Sequence, residues 1–323
     1  MGQRGRVGVV AAVCILVACP AAWAAGDPLD PDVTYGTFVS DGVEVAFHKQ
    51  GGTVPNVGAY DWWYGCSPTS VGMVLGHYDR DGYAGYGYDN LVPGGEAEIE
   101  TFYGPPVGWD AVVTHAIASQ GHVADFYAAG YGGSGDDVAE PWHAFNSMAD
   151  FMGTSQDARG NSNGMTTFFY RTNGLPLYWD EVPDLEHEGQ PILDRSGMYG
   201  ILEYIRYCGY DAQVLYNQWI LGWDGNAQGF TLEQYKAEID AGRTVLIHVE
   251  NHTMVGVGYD DDISNLILVH DTWTASPGGL TWGGSYSGHD HFGVTVLEIV
   301  PEPATLTLLG IGGVLTLVGR RRR

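Results

Sequence analysis

Three residues of this chain have the types and surroundings that nucleophilic catalysis requires: Cys66, His252 and Asp271. The run Trp62-Trp63-Tyr64-Gly65-Cys66-Ser67-Pro68-Thr69-Ser70 sets Cys66 at the mouth of an expected helix, with Pro68 in the first turn. Free N–H groups and the positive end of the helix dipole stabilise a thiolate there. A thiol nucleophile also needs a base delivered from elsewhere in the fold. His252, in Asn251-His252-Thr253-Met254, lies between two expected strands and projects from a strand edge. Asp271 opens Asp271-Thr272-Trp273 at the end of the following strand, where a carboxylate can fix the imidazole tautomer. Two of the three also have a plainer reading. Cys66 and Cys208 are the only cysteines beyond the first 24 residues and would form a disulfide in an oxidising compartment. His252 would be a satisfied core histidine. The order of helix-start Cys, strand His and strand-end Asp favours the chemical reading.

The same segments resemble a known family. Gly65-Cys66-Ser67-Pro68-Thr69-Ser70 is similar to the nucleophile box of papain-like cysteine peptidases akin to the bacteriocin-leader (double-glycine) peptidases. The run Gly242-Arg243-Thr244-Val245-Leu246-Ile247-His248-Val249 resembles the family's strand before the catalytic histidine. Asn251-His252-Thr253-Met254-Val255-Gly256-Val257-Gly258-Tyr259-Asp260 resembles the histidine segment, and Val269-His270-Asp271-Thr272-Trp273 the one after it. The likeness covers residues 60–80 and 230–273. It implies Cys66 as nucleophile, His252 as general base and Asp271 as orienting group, acting on a peptide or amide bond of a peptide or protein substrate. Two departures stand out. Ser67 replaces the usual Gly after the nucleophile, and Tyr60 stands where the family places an oxyanion-donating Gln. Asp61 beside it only accepts hydrogen bonds when ionised, which leaves the Cys66 N–H and the indole N–H of Trp62 or Trp63 as donors. Losing one oxyanion donor costs about 10²–10³ in rate. A non-catalytic surface or matrix-binding protein on the same fold, its Cys66 held by Cys208, therefore stands as the alternative.

The elements that must position these groups are legible in part. Residues 34–49 alternate around Asp41-Gly42, a hairpin signal. Helices are expected over residues 66–79, 109–120, 136–152 and 196–208, the last capped by Ser196 and stopped by Gly209. Another opens at Thr231 and closes at Gly242. Residues 82–108 and 153–194 read as irregular, within a long insertion over about residues 80–195. Apolar runs at 245–249, 254–259, 266–269 and 292–299 read as strands, with Asp260-Asp261-Asp262 turning between two of them. Helices first and a mostly antiparallel sheet later make an α+β domain. The resemblance implies a papain-like one, with the catalytic helix packed on the sheet. The Tyr and Trp content is read as core packing. Asp79-Arg80-Asp81-Gly82 and Asp260-Asp261-Asp262 fall short of a calcium loop and fit turn chemistry. His289-Asp290-His291 fits a hairpin turn with solvated histidines. With no HExxH, P-loop or zinc ribbon, neither a metal nor another cofactor is expected.

The two ends read as addresses. Arg4 and Arg6, the apolar stretch 7–18 and Ala22-Trp23-Ala24 make a secretory leader cleaved after Ala24; Leu16-Val17-Ala18-Cys19 also fits a lipidation box, weakened by Pro20. At the other end, Val300-Pro301-Glu302-Pro303, an apolar run over 304–318 and Arg320-Arg321-Arg322-Arg323 resemble the PEP-CTERM signal read by exosortase. The resemblance implies export through the secretion machinery, transient membrane anchoring by a short transmembrane helix, then processing at the cell surface. Residues 25–300 are the body, followed by a sorting segment over 301–323. Six of the 14 basic residues are the arginines of the two ends, so this body holds eight bases against 38 acids. Such a surface repels phosphate backbones, and a nucleic-acid partner is not expected.

Overall fold

In the computed structural model, the described residues are 9–13, 37–40, 43–46, 51–102, 112–128, 146–156 and 159–301. Strand β1 (Val9–Val13) precedes the expected hairpin, β2 (Thr37–Ser40) with β3 (Val43–Ala46), whose strands pair antiparallel. The helices are α1 (Cys66–Asp81), α2 (Val112–Ile117), α3 (Gln120–Ala128), α4 (Met148–Phe151), α5 (Gly197–Tyr207) and α6 (Leu232–Asp240). The later strands are β4 (Thr167–Arg171), β5 (Leu177–Tyr178), β6 (Glu186–His187), β7 (Gln190–Pro191), β8 (Tyr210–Trp219), β9 (Val245–Val249) and β10 (His252–Asp260). They end with β11 (Leu266–His270), β12 (Gly278–Thr281), β13 (Ser285–Tyr286) and β14 (His289–Pro301).

An antiparallel sheet in the order β12-β11-β10-β9-β14-β8-β5, with β13 against β14, forms the centre. Helix α1 packs on β10 and α5 on β8. Thr253 bonds to α1, while Gly256 meets the Tyr235 ring of α6. The two positions are three apart along β10, so α1 and α6 cover opposite faces. The glycine matters there, because a Cβ at Gly256 would stand 2.6 Å from that ring.

The architecture is α+β, as the sequence implied. Helix α5 keeps its Ser196 cap, whose side chain accepts from the Tyr199 N–H, and Gly209 stops it at φ 89°. Thr231 and Gln234 close a capping box on α6. The segment 153–194 is less irregular than expected. Thr167-Phe168-Phe169-Tyr170-Arg171 is strand β4, and β5 joins the main sheet beside β8. Strand β4 is buried along nearly its whole length and shows no alternation, while the Gly- and Asn-rich turns around it dominate the local pattern. Of the helix expected at 136–152, residues 136–145 lie outside the described residues. The described part is the single turn α4, capped by Ser147 and Asp150. Strand β1, inside the segment read as a leader, pairs antiparallel with β4.

The core is rich in tyrosine, and the phenol groups tie loops to the sheet. Tyr60, Tyr88, Tyr204 and Tyr235 are fully buried and donate to main-chain carbonyls of Glu98, Ile299, Leu91 and Gly258 at 2.5, 2.7, 3.2 and 2.8 Å. Buried tyrosines require such acceptors.

Candidate functional site

The start of α1 is built by its own sequence. Gly65, the N-cap, sits at φ 154° and offers no capping side chain. A Cβ there would stand 2.8 Å from both the Pro68 ring and the Thr154 methyl. No acidic residue occupies the first turn, so the helix itself supplies no carboxylate to offset its positive dipole end. Thr69 holds the turn together, donating its hydroxyl to the Gly65 carbonyl at 2.6 Å and accepting the Trp63 N–H at 3.0 Å.

The three segments singled out in the sequence meet at this point. Ser67, next to Cys66, shares a 2.9 Å hydrogen bond with Thr253, next to His252. The Ser70 hydroxyl donates to the Thr253 carbonyl at 2.9 Å. The Trp62 N–H donates to the carbonyl of Thr272, beside Asp271, at 3.0 Å. Each segment also carries a non-glycine residue in the left-handed region: Tyr64 (φ 57°), Asn251 (φ 62°) and Thr272 (φ 64°). That conformation is unfavourable for a bulky aromatic or β-branched side chain, by about 1–2 kcal/mol.

His252 is buried at the first residue of β10, and its Nε2 lies 2.7 Å from the main-chain oxygen of Asp271. A carbonyl only accepts, so Nε2 carries the proton and Nδ1 of the neutral ring is the acceptor. The Trp273 indole stacks on the imidazole, with centroids 4.0 Å apart and planes 15° apart. Burial lowers the His252 pKa to about 4, against the upward pull of the Asp271 bond and with a further downward push from His289.

Asp271 thus reaches His252, but not by the route the sequence suggested. Its main chain orients the ring, while its carboxylate builds the turn beyond. Oδ1 accepts the N–H groups of Trp273 and Thr274 at 2.9 Å each, and Oδ2 accepts the Tyr286 hydroxyl at 2.7 Å. The physical reason is an Asx turn: a carboxylate two residues before a free N–H closes on its own backbone. That turn lays Trp273 over His252. The sequence marks neither Trp273 nor Tyr286 as part of the site; the one signal is the aromatic two residues after the aspartate, Trp273.

The remaining candidates divide. Tyr60, where the resemblance leads one to expect a Gln, is fully buried and donates to the Glu98 carbonyl. Trp62 and Trp63 are half-buried, flank Tyr64 at 5.6 and 5.0 Å between centroids, and keep their indole Nε1 atoms buried. Cys66 and Cys208 are both buried and are not joined by a disulfide, which corrects the disulfide alternative. Cys208 caps α5 near Asp79 and Leu91, at the far end of α1. Thirteen residues of helix separate Cys66 from Asp79, about 20 Å, far beyond disulfide reach. His289 is partly exposed as expected, but His291 is buried, edge-on to Trp282 at 4.7 Å, and accepts the Gly283 N–H. The acidic turns do turn chemistry: Asp79 accepts the Val92 N–H and Asp260 the Asp262 N–H. Among the described residues, no cluster of three or more His, Cys, Asp or Glu is placed to hold a metal ion.

Strand β14 runs into the Pro-Glu-Pro segment and ends at Pro301, opposite Tyr210. The anchor expected from the apolar tail lies outside the described residues, and no helix among those described is long and apolar enough to cross a membrane. No curated protein and no solved structure is significantly similar to the chain. Residues 300–323 match the PEP-CTERM protein-sorting motif, which marks this protein for recognition by exosortase, for export, and for the cell surface or extracellular space after processing.

Proposed function

We propose that the body, residues 25–300, is an exported papain-like thiol hydrolase that cleaves a peptide or amide bond with Cys66, His252 and Asp271. The observation that carries the reading is the convergence of three distant segments at one uncapped helix start, through the Ser67–Thr253, Trp62–Thr272 and His252–Asp271 hydrogen bonds. In the proposed mechanism Nδ1 of His252 takes the thiol proton and the Cys66 sulfur adds to the carbonyl carbon. N–H groups at the start of α1 receive the oxyanion. His252 returns the proton to the leaving amine, and water then releases the acyl group from Cys66. Asp271 fixes the tautomer through its main-chain oxygen. Cleavage after Ala24 would remove β1, and the segment from 301 onward would serve as transient anchor and exosortase signal.

One observation favours a second reading, a binding protein on the same fold. The Gln position is filled by a core tyrosine, and the indole N–H groups nearby are buried. The test is to treat the exported protein, without reductant, with a thiol-reactive epoxide and to map adducts by mass spectrometry beside a His252→Ala variant. Fast labelling of Cys66 that collapses in the variant supports the hydrolase. An unreactive Cys66 leaves the binding protein.

A further inference from the structure

A file of buried polar side chains crosses the sheet behind the candidate site. From α1 it runs Ser67 Oγ to Thr253 Oγ1 at 2.9 Å, Thr253 to His248 Nδ1 at 3.3 Å, His248 Nε2 to Thr295 Oγ1 at 2.8 Å, and Thr295 to Asn217 Oδ1 at 2.6 Å. Asn217 Nδ2 closes it on the Phe169 carbonyl of β4 at 3.1 Å. The four inner residues stand on β10, β9, β14 and β8, consecutive strands of the sheet, and all five are buried.

The direction of every bond follows from its far end. The Phe169 carbonyl only accepts, so the Asn217 amide must present nitrogen there and oxygen to Thr295. That oxygen only accepts, so Thr295 spends its one hydroxyl proton on it and accepts from His248 Nε2–H. A neutral imidazole with its proton on Nε2 is an acceptor at Nδ1, so Thr253 donates to it. With the Thr253 proton committed, the bond to Ser67 requires Ser67 to donate. Burial and the nearby His291 push the His248 pKa down to about 3, and the Phe168 ring lies 4.5 Å from the imidazole, so the ring is neutral at pH 7.

We infer that this one-way file is a positioning device, in which Asn217, Thr295 and His248 orient Thr253, and Thr253 fixes Ser67 and so the place of Cys66 relative to His252. The inference rests on the hydrolase reading for its consequence, though the file itself does not depend on it. It also gives a physical role to Ser67, where the family pattern has a glycine with no hydroxyl to donate. The Ser70 bond to the Thr253 carbonyl is independent of the Thr253 side chain, so Thr253→Val keeps α1 tied to β10 while removing the oriented hydroxyl.

The experiment uses the full chain and two readouts. The first is the His248 tautomer by long-range ¹H–¹⁵N NMR. The expected result is Nε2–H at pH 7, lost as a single fixed tautomer in Thr295→Val. The second is the epoxide-labelling rate of Cys66. A small misplacement of reacting groups costs up to about a hundredfold, so Thr253→Val should slow labelling by roughly tenfold to a hundredfold. Thr253→Ser, which keeps the hydroxyl, should stay within about threefold of the parent rate. An Nδ1–H or doubly protonated His248, or labelling in Thr253→Val at the parent rate, overturns the inference. A parent Cys66 whose labelling ignores His252→Ala overturns the hydrolase reading and the positioning role with it. In that case an Nε2–H tautomer would still show that the file exists as a structural feature.

Discussion

The two ends of α1 each hold a buried thiol, and they differ in nearly everything else. At the N-terminal end Cys66 is the first helical residue, beyond a glycine cap, with no acid in the first turn. At the C-terminal end Cys208 lies beside Asp79, its S–H directed at the Leu91 carbonyl 3.9 Å away. Burial pushes the Cys208 thiol up to about 12, a Tyr204 hydrogen bond opposes this, and the Asp79 carboxylate adds to it. The far end also opens into a surface depression of about 610 Å³ lined by Asp79, Asp81, Tyr83, Tyr86 and Asp89. Burial alone does not decide what a thiol does; the dipole end it faces and the charge beside it do.

The largest effect expected from this contrast is kinetic. General-base assistance contributes about 10²–10⁴, so His252→Ala should slow Cys66 labelling by at least about a hundredfold while Cys208 stays unlabelled in both proteins. Peptide mapping after timed alkylation reads both thiols at once. Equal Cys66 rates in parent and variant would break the contrast.

The second effect is on stability. His248, His252, His270 and His291 are all buried, and burial lowers their pKa values to about 3, 4, 4 and 3. Free histidine titrates near 6.5. Between about pH 6.5 and pH 4 these four imidazoles therefore bind more protons in the unfolded chain than in the folded one, and their contribution to stability falls as the pH falls, opposed at the acid end by Asp61, Asp79 and Glu203, whose pKa values burial raises. Urea unfolding at pH 7, 6, 5 and 4 should give a steadily lower midpoint. A flat profile would mean that the imidazoles already carry protons in the folded state.

Much of this was legible in the sequence, and the rest was not for identifiable reasons. Ser196, Thr231 and Gly209 announced their helix ends because caps are local. Cys66, His252 and Asp271 could be placed in order along helix and strands by motif alone. Strand β8 has no clean alternation, since a bulge at Gln213 shifts its register against β14, and β4 hides among turn residues. Tyr60 read as a blank in an oxyanion position, whereas burial makes it a core staple. Asp271 shows the limit most clearly. Its identity was readable, but which of its oxygens meets His252 depends on the Asx turn that follows.

That turn yields the third prediction. Where a carboxylate orients the histidine, changing Asp to Asn lowers turnover by about 10⁴. Here the orienting oxygen belongs to the main chain, and an asparagine oxygen can still accept from the Trp273 and Thr274 N–H groups. Asp271→Asn should therefore slow Cys66 labelling by no more than about tenfold. A loss of several thousandfold would return the role to the carboxylate.

The smallest effect lies at the other thiol. Cys208→Ala removes a buried sulfur at the far end of the helix, and a loss of about 1 kcal/mol is expected, the common size for a buried truncation. Sites more than about 10 Å apart with no shared partner behave additively, and about 20 Å of helix separates Asp79 from Cys66. Cys66 labelling should then match the parent within about twofold, while the unfolding midpoint drops slightly. A large change in labelling without a change in stability would mean that α1 couples its two ends, and the reactivity of Cys66 would no longer be a property of the N-terminal turn alone.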